Sequence, residues 1–229
     1  KSPCIVFADA DIELAAERIP YSVFANAGQD CCARTRILVE RSVLPRFSEL
    51  FVARTSRLRV GDPLSEATEI GSMVSPGQKR QALQYLELGV QEGAAVLTGG
   101  EPGAGFGLER GSFVLPAVLG DVDNRMRVAR EEIFGPVACL IPFAGEDEAV
   151  SLANASPYGL SGSIWSRDIG RALRTARRVR SGVLSINTNS SVHIEAPFGG
   201  YKQSGIGREL GLHALSLYTE VKNIYVDLG

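Results

Sequence analysis

Apolar positions along the chain follow two spacings that alternate from beginning to end. The three-to-four-residue spacing predicts five helices, at residues 9–26, 43–58, 76–92, 146–154 and 169–179. Between them, short apolar runs predict strands at residues 37–39, 96–98, 113–119, 137–143, 162–165, 183–186 and 218–226. Strands that alternate with helices are typical of a sheet built from parallel strands.

Local signals refine the ends of these elements. Asp9 is the predicted N-cap of the first helix, Pro20 is predicted to kink or split it, and Gly28 ends it. The glycine-rich run at residues 99–111 predicts a loop or a hairpin tip.

The pattern as a whole predicts one α/β domain over residues 1–229, with a mainly parallel sheet and helices on both faces. Apolar runs such as residues 137–141 fit a strand that is buried on both sides. The strand predicted at residues 218–226 has no helix after it, so we expect an edge strand that pairs with a partner chain.

Composition narrows the class of protein. Hydrophobic residues make up 45% of the 229 residues and charged residues 22%, which fits a folded globular chain. The net charge of −2 gives no sign of a nucleic-acid partner. No apolar run approaches the length of a membrane span, so we expect no membrane partner.

The four cysteines, Cys4, Cys31, Cys32 and Cys139, do not form a disulfide pattern. Free thiols of this kind favour a cytoplasmic location. With no CxxC pair and only two histidines, we predict no metal site.

Cys31 lies after a helix and a glycine turn and before a strand, a position where catalytic groups concentrate. Arg34 and Arg36 are close in sequence and could favour a thiolate. From the residues alone, two interpretations stay open: a nucleophile, or a buried cysteine that fills space.

Several motifs then occur in a fixed order. They are Lys1-Ser2-Pro3, the run from Phe24 and Asn26 through Gly28-Gln29-x-Cys31-x-Ala33, Glu131-Glu132-Ile133-Phe134-Gly135-Pro136-Val137, Asn154 with Tyr158-Gly159-Leu160, Pro197-Phe198-Gly199-Gly200-Tyr201-Lys202-x-Ser204-Gly205, and Tyr218-Thr219-Glu220-Val221-Lys222. Together they cover nearly the whole chain and resemble the catalytic domain of NAD(P)-dependent aldehyde dehydrogenases.

That resemblance implies a reaction and a nucleophile. Cys31, two residues after Gln29, would attack an aldehyde to give a thiohemiacetal, with its own backbone N–H as one oxyanion donor. Hydride transfer to NAD or NADP would give a thioester, which water hydrolyses to the carboxylic acid. Cys32 would serve in packing, or form an adduct or disulfide with Cys31.

The resemblance also implies the cofactor residues. Glu132 would accept hydrogen bonds from the nicotinamide ribose, and Phe134 would pack near the nicotinamide. Without the resemblance, a solvated Glu and a core Phe are the simpler interpretations. Gln78 matches a ribose-proximal residue more loosely. Asn187 follows a strand, so it is either a substrate-tunnel residue or a turn residue.

Two glycine-rich segments, residues 103–107 and 197–205, lack the strand, fingerprint and helix order of a phosphate loop. We interpret both as structural turns.

In the resembled family, the general-base glutamate and the dinucleotide-binding domain precede the position of Lys1. We therefore expect this chain alone to be inactive, and the full-length protein to form a homo-oligomer. The aldehyde is not specified, although Glu195 favours a cationic one. Trp165 and residues 190–195 are the other expected tunnel residues.

Two alternatives to the dehydrogenase stay open. A non-catalytic scaffold or binding member of the same family is the first, although it would more easily have lost Cys31, Glu132 and Phe134. A thiol hydrolase is the second, and it would need His193 or His213 as a base.

Overall fold

The structure, a computed structural model, describes residues 1–103, 107–108, 111–190 and 192–229. The strands are β1 (Pro3–Val6), β2 (Arg36–Glu40), β3 (Ala95–Gly100), β4 (Leu115–Gly120), β5 (Val137–Phe143), β6 (Tyr158–Gly159), β7 (Ser161–Trp165), β8 (Val183–Ile186) and β9 (Tyr201–Lys202). The helices are α1 (Ile12–Phe24), α2 (Leu44–Thr55), α3 (Pro76–Gln91), α4 (Arg127–Arg130), α5 (Glu146–Asn154) and α6 (Ile169–Arg178). Two short 3₁₀ segments are added at Ala25–Gly28 and Leu212–Leu217.

Seven strands form one sheet in the order β3-β4-β5-β2-β1-β7-β8, and β6 pairs with β9 separately. All neighbours in the large sheet are parallel except β3 and β4. This confirms the predicted fold class. The antiparallel β3–β4 pair also agrees with a hairpin at residues 99–111, although residues 104–106 and 109–110 of that run lie outside the described residues.

Helices cover the sheet as the apolar spacing predicts. Helices α1 and α2 pack on each other, and α5 packs against β1, β2 and α6. The core is apolar and includes Ile5, Ile37, Phe47, Phe51 and Phe143, all fully buried. Burial of such side chains stabilises the fold by about 1.5–3 kcal/mol each.

Two predictions about the first helix need correction. Asp11, not Asp9, caps α1, because its side chain accepts from the Leu14 N–H at 3.1 Å. Asp9 instead accepts from Ser166 and Asp168 beside α6. Pro20 lies within α1 and does not split it.

The strand predicted at residues 218–226 is the largest error. These residues adopt no strand and are exposed throughout the part of the chain that the structure describes. A strand needs a neighbouring backbone to satisfy its N–H and C=O groups, and none of the described residues pairs with this segment. By contrast, the apolar pattern predicts no strand at β1, which pairs with both β2 and β7 inside the sheet.

None of the described helices has the length and hydropathy needed to cross a membrane.

Candidate active site

Two loops meet at one end of two neighbouring inner strands of the sheet. The cysteine loop (residues 25–35) leads into the amino end of β2, and the glutamate loop (residues 131–136) leads into the amino end of β5. Because β2 and β5 are parallel neighbours, their amino ends lie side by side. The fold therefore brings Cys31 close to Glu132 and Phe134.

The cysteine loop has an unusual backbone. Asn26, Ala27 and Gly28 are consecutively left-handed, with φ of 54°, 55° and 68°. The Asn26 side-chain amide donates to the Gln29 carbonyl at 2.9 Å, and the Gln29 amide donates back to the Asn26 carbonyl at 3.1 Å. Gln29 also accepts from the Val74 N–H at 2.9 Å. These bonds fix a strained turn, a feature that often marks a functional site.

Gly28 lets the two loops touch. A Cβ at this position would lie 2.3 Å from the carbonyl oxygen of Gly135 in the glutamate loop. Such a distance is far inside van der Waals contact, so only glycine permits this approach. Gly28 of the cysteine motif and Gly135 of the glutamate motif thus pack backbone to backbone.

We expect Gly28→Ala to destabilise the fold by about 1–3 kcal/mol more than Gly145→Ala, because the added methyl group forces the loops apart. Gly145 is a matched control, since its φ of 84° is also left-handed but nothing lies within 4 Å of its added Cβ. Urea unfolding of both variants measures the difference. Equal losses of stability would mean that the two loops do not need this contact.

The glutamate loop is held from α3. The Gln78 amide donates to the carbonyls of Ile133 and Phe134, both at 2.9 Å, and Gln81 donates to Ile133 at 3.1 Å. Phe134 has a left-handed φ of 54° and is 41% exposed. The Gln78 side chain therefore holds the backbone segment that carries Phe134.

A cavity of about 220 Å³ opens between the loops. Cys31, Glu132 and Phe134 all line it, together with Lys1, Ser2, Gly28, Asp30, Ala33, Thr35, Ile133, Tyr158, Leu160, Gln203 and Ser204. All three residues predicted from the sequence therefore share one cavity. Neither histidine of the chain is among the described residues that line it, so the described lining offers no histidine base for a thiol hydrolase.

Tyr158, Leu160, Gln203 and Ser204 were not predicted as site residues, although they belong to recognised motifs. The pairing of β6 with β9 carries them to the cavity, and the Ser204 hydroxyl accepts from the Gly159 N–H at 3.0 Å. Lys202 fixes this wall, since its ammonium donates to the Asn154 and Ser156 carbonyls, both at 2.9 Å. The turn at residues 197–205 is structural, as expected, and also contributes to the cavity.

Other predicted positions lie elsewhere. The Asn187 side chain bonds the Ser166 N–H at 3.0 Å and the Ser166 carbonyl at 2.9 Å, which supports its interpretation as a turn residue. Trp165 is buried in β7, and Glu195 is exposed. Ser190 contacts His193 at 3.2 Å, whereas Ser191 lies outside the described residues.

The two adjacent cysteines differ in environment. Cys31 is exposed in the cavity, and Cys32 is buried. Burial raises the pKa of the Cys32 thiol to about 12, with Cys31 and Asp30 adding to the effect. Cys32 is thus a neutral thiol at physiological pH, and a thiolate nucleophile is the reactive form.

We expect iodoacetamide at mildly alkaline pH to modify Cys31 alone in the folded chain. Burial raises the pKa of Cys4 to about 11 and also raises that of Cys139, so at a given pH these thiols hold less thiolate. Peptide mapping by mass spectrometry identifies the modified residue, and all four cysteines should react after unfolding. Modification of native Cys32 at a rate similar to Cys31 would contradict this assignment.

Adjacent carboxylates in the glutamate loop also differ. The Glu131 carboxylate is bound by Arg127 at 2.8 Å and by the Tyr85 hydroxyl at 2.7 Å, and these bonds lower its pKa to about 2. The exposed Glu132 carboxylate bonds to none of the described residues. Glu132 is therefore the one of the pair that is open to a ligand.

Nearly the whole chain is similar to one protein family. A family model described as "Aldehyde dehydrogenase family" matches residues 1–224. The chain belongs to the aldehyde dehydrogenase family. This confirms the resemblance drawn from its motifs.

Individual aldehyde dehydrogenases match over all or nearly all of the chain. A betaine aldehyde dehydrogenase of Brucella anthropi is 43% identical over all 229 residues, which span 47% of that protein. An NAD-dependent aldehyde dehydrogenase structure from Sinorhizobium meliloti superposes with a TM-score of 0.95 at 43% identity, covering all of this chain and 45% of that one. A Staphylococcus aureus betaine aldehyde dehydrogenase in complex with NAD+ has a TM-score of 0.91 at 39% identity, covering 95% of this chain and 43% of that one. The chain thus spans about half the length of the relatives it matches.

Proposed function

We propose that this chain is the cysteine-bearing catalytic part of an NAD-dependent aldehyde dehydrogenase, which oxidises an aldehyde to a carboxylic acid. The observation that carries the proposal is the shared cavity, in which the exposed Cys31 thiol lies with the open carboxylate of Glu132 and the exposed ring of Phe134. A nucleophile and a binding surface for a flat polar ligand are the two parts that such a reaction needs.

Cys31 is the proposed nucleophile. Its sulfur would add to the aldehyde carbonyl, forming a C–S bond while the carbonyl oxygen takes the electron pair. The Cys31 backbone N–H donates to none of the described residues, so it is available to that oxyanion. The Cys32 N–H is unavailable, because it donates to the Asp30 carboxylate at 2.7 Å.

Glu132 and Phe134 are the proposed residues for the nicotinamide end of the cofactor. A free carboxylate accepts from two neighbouring hydroxyls at once, which suits a ribose. The ring of Phe134 is presented toward the cavity by a strained backbone that Gln78 holds at two carbonyls. NAD bound there would supply the hydride acceptor that converts the adduct on Cys31 into a thioester.

The remaining machinery belongs to the rest of the proposed enzyme. We propose that a dinucleotide-binding domain and the general base for thioester hydrolysis precede this chain in the full-length protein. The chain covers only 47% of its Brucella relative, which supports this division. Turnover by residues 1–229 alone, abolished by Cys31→Ala, would refute it.

Cationic aldehydes are the proposed first substrates to test. The support is the similarity to betaine aldehyde dehydrogenases. The full-length enzyme should be assayed for NADH formation with betaine aldehyde against neutral aldehydes of similar size, with NADP alongside NAD. A preference for neutral aldehydes would remove this part of the proposal while leaving the reaction class intact.

The cofactor assignment has its own test. We expect Glu132→Gln to raise the KM for NAD about tenfold, since a weakened pair of charge-assisted hydrogen bonds is worth about 1.4 kcal/mol or more. Glu131→Gln is the matched control, because that carboxylate is already bound by Arg127 and Tyr85, and its KM should change little. A folded, NAD-binding protein that oxidises no aldehyde would instead favour the non-catalytic family member.

A further inference from the structure

A second cavity opens at the other end of the strands from the cavity that holds Cys31. Its volume of about 640 Å³ is inside the range of roughly 300–1,000 Å³ that is typical of small-molecule sites. Among the described residues, the two cavities share no lining residue. We call the second one the carboxyl-end cavity, because it is lined by Arg41 after β2, Asp121 after β4 and Pro142 in β5.

The connections between strands diverge at this cavity. The chain leaves β2 into α2, which packs on β3 and β4, whereas it leaves β5 into α5, which packs on β1 and β2. Since β2 and β5 are neighbours, the two connections separate and leave a crevice between them. The start of α2 and the first turn of α5 both line the cavity, through Pro45 and Glu148. Ligands of open parallel sheets usually bind in such a crevice, beyond the carboxyl ends of the strands.

The walls of the carboxyl-end cavity are mainly apolar. Leu140 and Ile141 of β5 are each 2% exposed and form part of the buried wall. Leu97 of β3 also lines the cavity and is 40% exposed, so a large part of this apolar side chain is in contact with water. An occupant with an apolar body would cover that surface, and removal of apolar surface from water favours binding.

The charges around the cavity leave one carboxylate without a counter-ion. Glu148 lies 3.7 Å from Arg41, and Asp123 is bound by Arg125 at 2.8 Å. Asp121 is exposed and forms no ion pair with any of the described residues. Its backbone is left-handed, with a φ of 54°, a conformation that Asp and Asn adopt more readily than most residues. The turn after β4 therefore gives the cavity one unbalanced negative charge.

An anion is a poor occupant of this cavity, although helix α2 begins beside it. The amino end of a helix attracts anions through free backbone N–H groups. Pro45, in the first turn of α2, has no N–H, and the Leu44 N–H donates to the Arg41 carbonyl at 3.4 Å. The carboxylate of Asp121 also repels an anion. A cation is the ligand that complements these charges.

We propose that the carboxyl-end cavity binds a small organic monocation, an ammonium group on an apolar body. The ammonium group pairs with Asp121, and the apolar body packs against Leu97 and Leu140. Both parts are needed, because an exposed ion pair alone contributes little to affinity. The proposal is independent of the proposed reaction, since it uses none of the residues around Cys31.

Calorimetry on the proposed full-length protein tests binding in solution. We expect 2-phenylethylamine, a cation at pH 7, to bind saturably at one site per chain. It should bind at least about tenfold more tightly than 2-phenylethanol, a neutral molecule with the same apolar body. Alkylation of Cys31 with iodoacetamide should leave the affinity unchanged, because the two cavities are separate. No saturable binding of the amine, or equal affinities for the amine and the alcohol, would overturn the proposal.

Asp121→Asn tests the ion pair. Asparagine keeps the size of the side chain and also tolerates a left-handed backbone, so the substitution removes the charge and little else. We expect the dissociation constant of 2-phenylethylamine to rise about tenfold. Asp227→Asn, which changes an exposed aspartate near the carboxyl terminus, is the matched control and should bind the amine normally. An affinity that is unchanged in Asp121→Asn would refute the proposal.

Diffraction tests the location of the bound cation. Crystals of the same protein should be soaked with 2-(4-bromophenyl)ethylamine, and data collected at the bromine absorption edge. We expect an anomalous peak between Leu97 and Leu140, with the amine nitrogen within about 4 Å of the Asp121 carboxylate. A bromine peak only elsewhere on the protein, or no peak at all, would contradict the assignment of the site.

Discussion

Replacing Cys31 with serine in the proposed full-length enzyme will lower aldehyde-dependent NADH formation by at least about 10⁴-fold, the scale on which loss of a nucleophile acts in covalent catalysis. A serine hydroxyl stays protonated near pH 7 and needs a neighbouring base to become reactive. Neither His193 nor His213 lines the described part of the cavity, so the chain offers no histidine for that purpose. NADH absorbance with a single aldehyde, under NAD saturation, measures the loss.

Cys32→Ser is the matched control for this experiment. The Cys32 side chain is buried, and its thiol stays neutral because its pKa is raised to about 12. We therefore expect activity within a few-fold of the unsubstituted enzyme, with some loss of stability from the buried hydroxyl. Loss of activity in Cys32→Ser with full activity in Cys31→Ser would reverse the assignment of the two thiols.

Elements with strong local signals were predicted closely from the sequence. The strand Val137–Phe143, the helix Glu146–Asn154 and the strand Val183–Ile186 begin and end where their apolar patterns predict. The helix Pro76–Gln91 begins at the predicted proline, and the preceding Ser75 caps it by accepting from Gln78 at 3.2 Å. Residues next to each boundary, such as the capping Ser75 and Pro76, set these ends, so they can be read from the sequence.

Elements that depend on distant partners were not predicted well. The strand Pro3–Val6 has only four residues, all buried, and its place in the sheet depends on pairing with Arg36–Glu40 and Ser161–Trp165. The segment at residues 218–226 is the opposite case: its composition favours a strand, but no described residue pairs with it. Strand pairing is a property of two segments, so one segment cannot predict it alone.

The cavity that holds Cys31 lies at the opposite end of the strands from where ligands of parallel sheets usually bind. Ligands of open parallel sheets usually bind at the carboxyl ends of the strands, which favoured Asn187. The cavity with Cys31 and Phe134 instead lies at the amino ends of β2 and β5, and Asn187 is bonded to Ser166 in a turn. The motifs identified Cys31, Glu132 and Phe134, whereas Gln203 and Ser204 join them only through the β6–β9 pairing.

Arg36 is close to Cys31 in sequence, but its role is structural. Its guanidinium does not face Cys31. It donates five hydrogen bonds, to the backbone carbonyls of Lys1, Leu152 and Ala153 and to the side chain of Asn124. Burial lowers the pKa of Arg36 to about 10, so it stays charged at neutral pH. It therefore ties the start of β2 to the end of α5.

We expect Arg36→Met to destabilise the fold by about 3–5 kcal/mol, because it leaves buried acceptors without a donor. That loss is a large fraction of the stability of a typical domain, which is about 5–15 kcal/mol. Urea unfolding followed by circular dichroism measures it. If Arg36→Met does not fold, Asn124→Ala gives a milder test with an expected loss of about 1–2 kcal/mol, since it removes the bond to Arg36 at 3.0 Å and one to Leu152 at 3.2 Å.

Arg57→Met is the control for the loss of an arginine as such. Arg57 is exposed, so its replacement should change stability by less than about 0.5 kcal/mol. If Arg36→Met unfolded at the same urea concentration as Arg57→Met, the five hydrogen bonds would contribute nothing net. The junction between β2 and α5 would then depend on apolar packing alone, and the buried charge would need another explanation, such as specifying which helix end meets the strand.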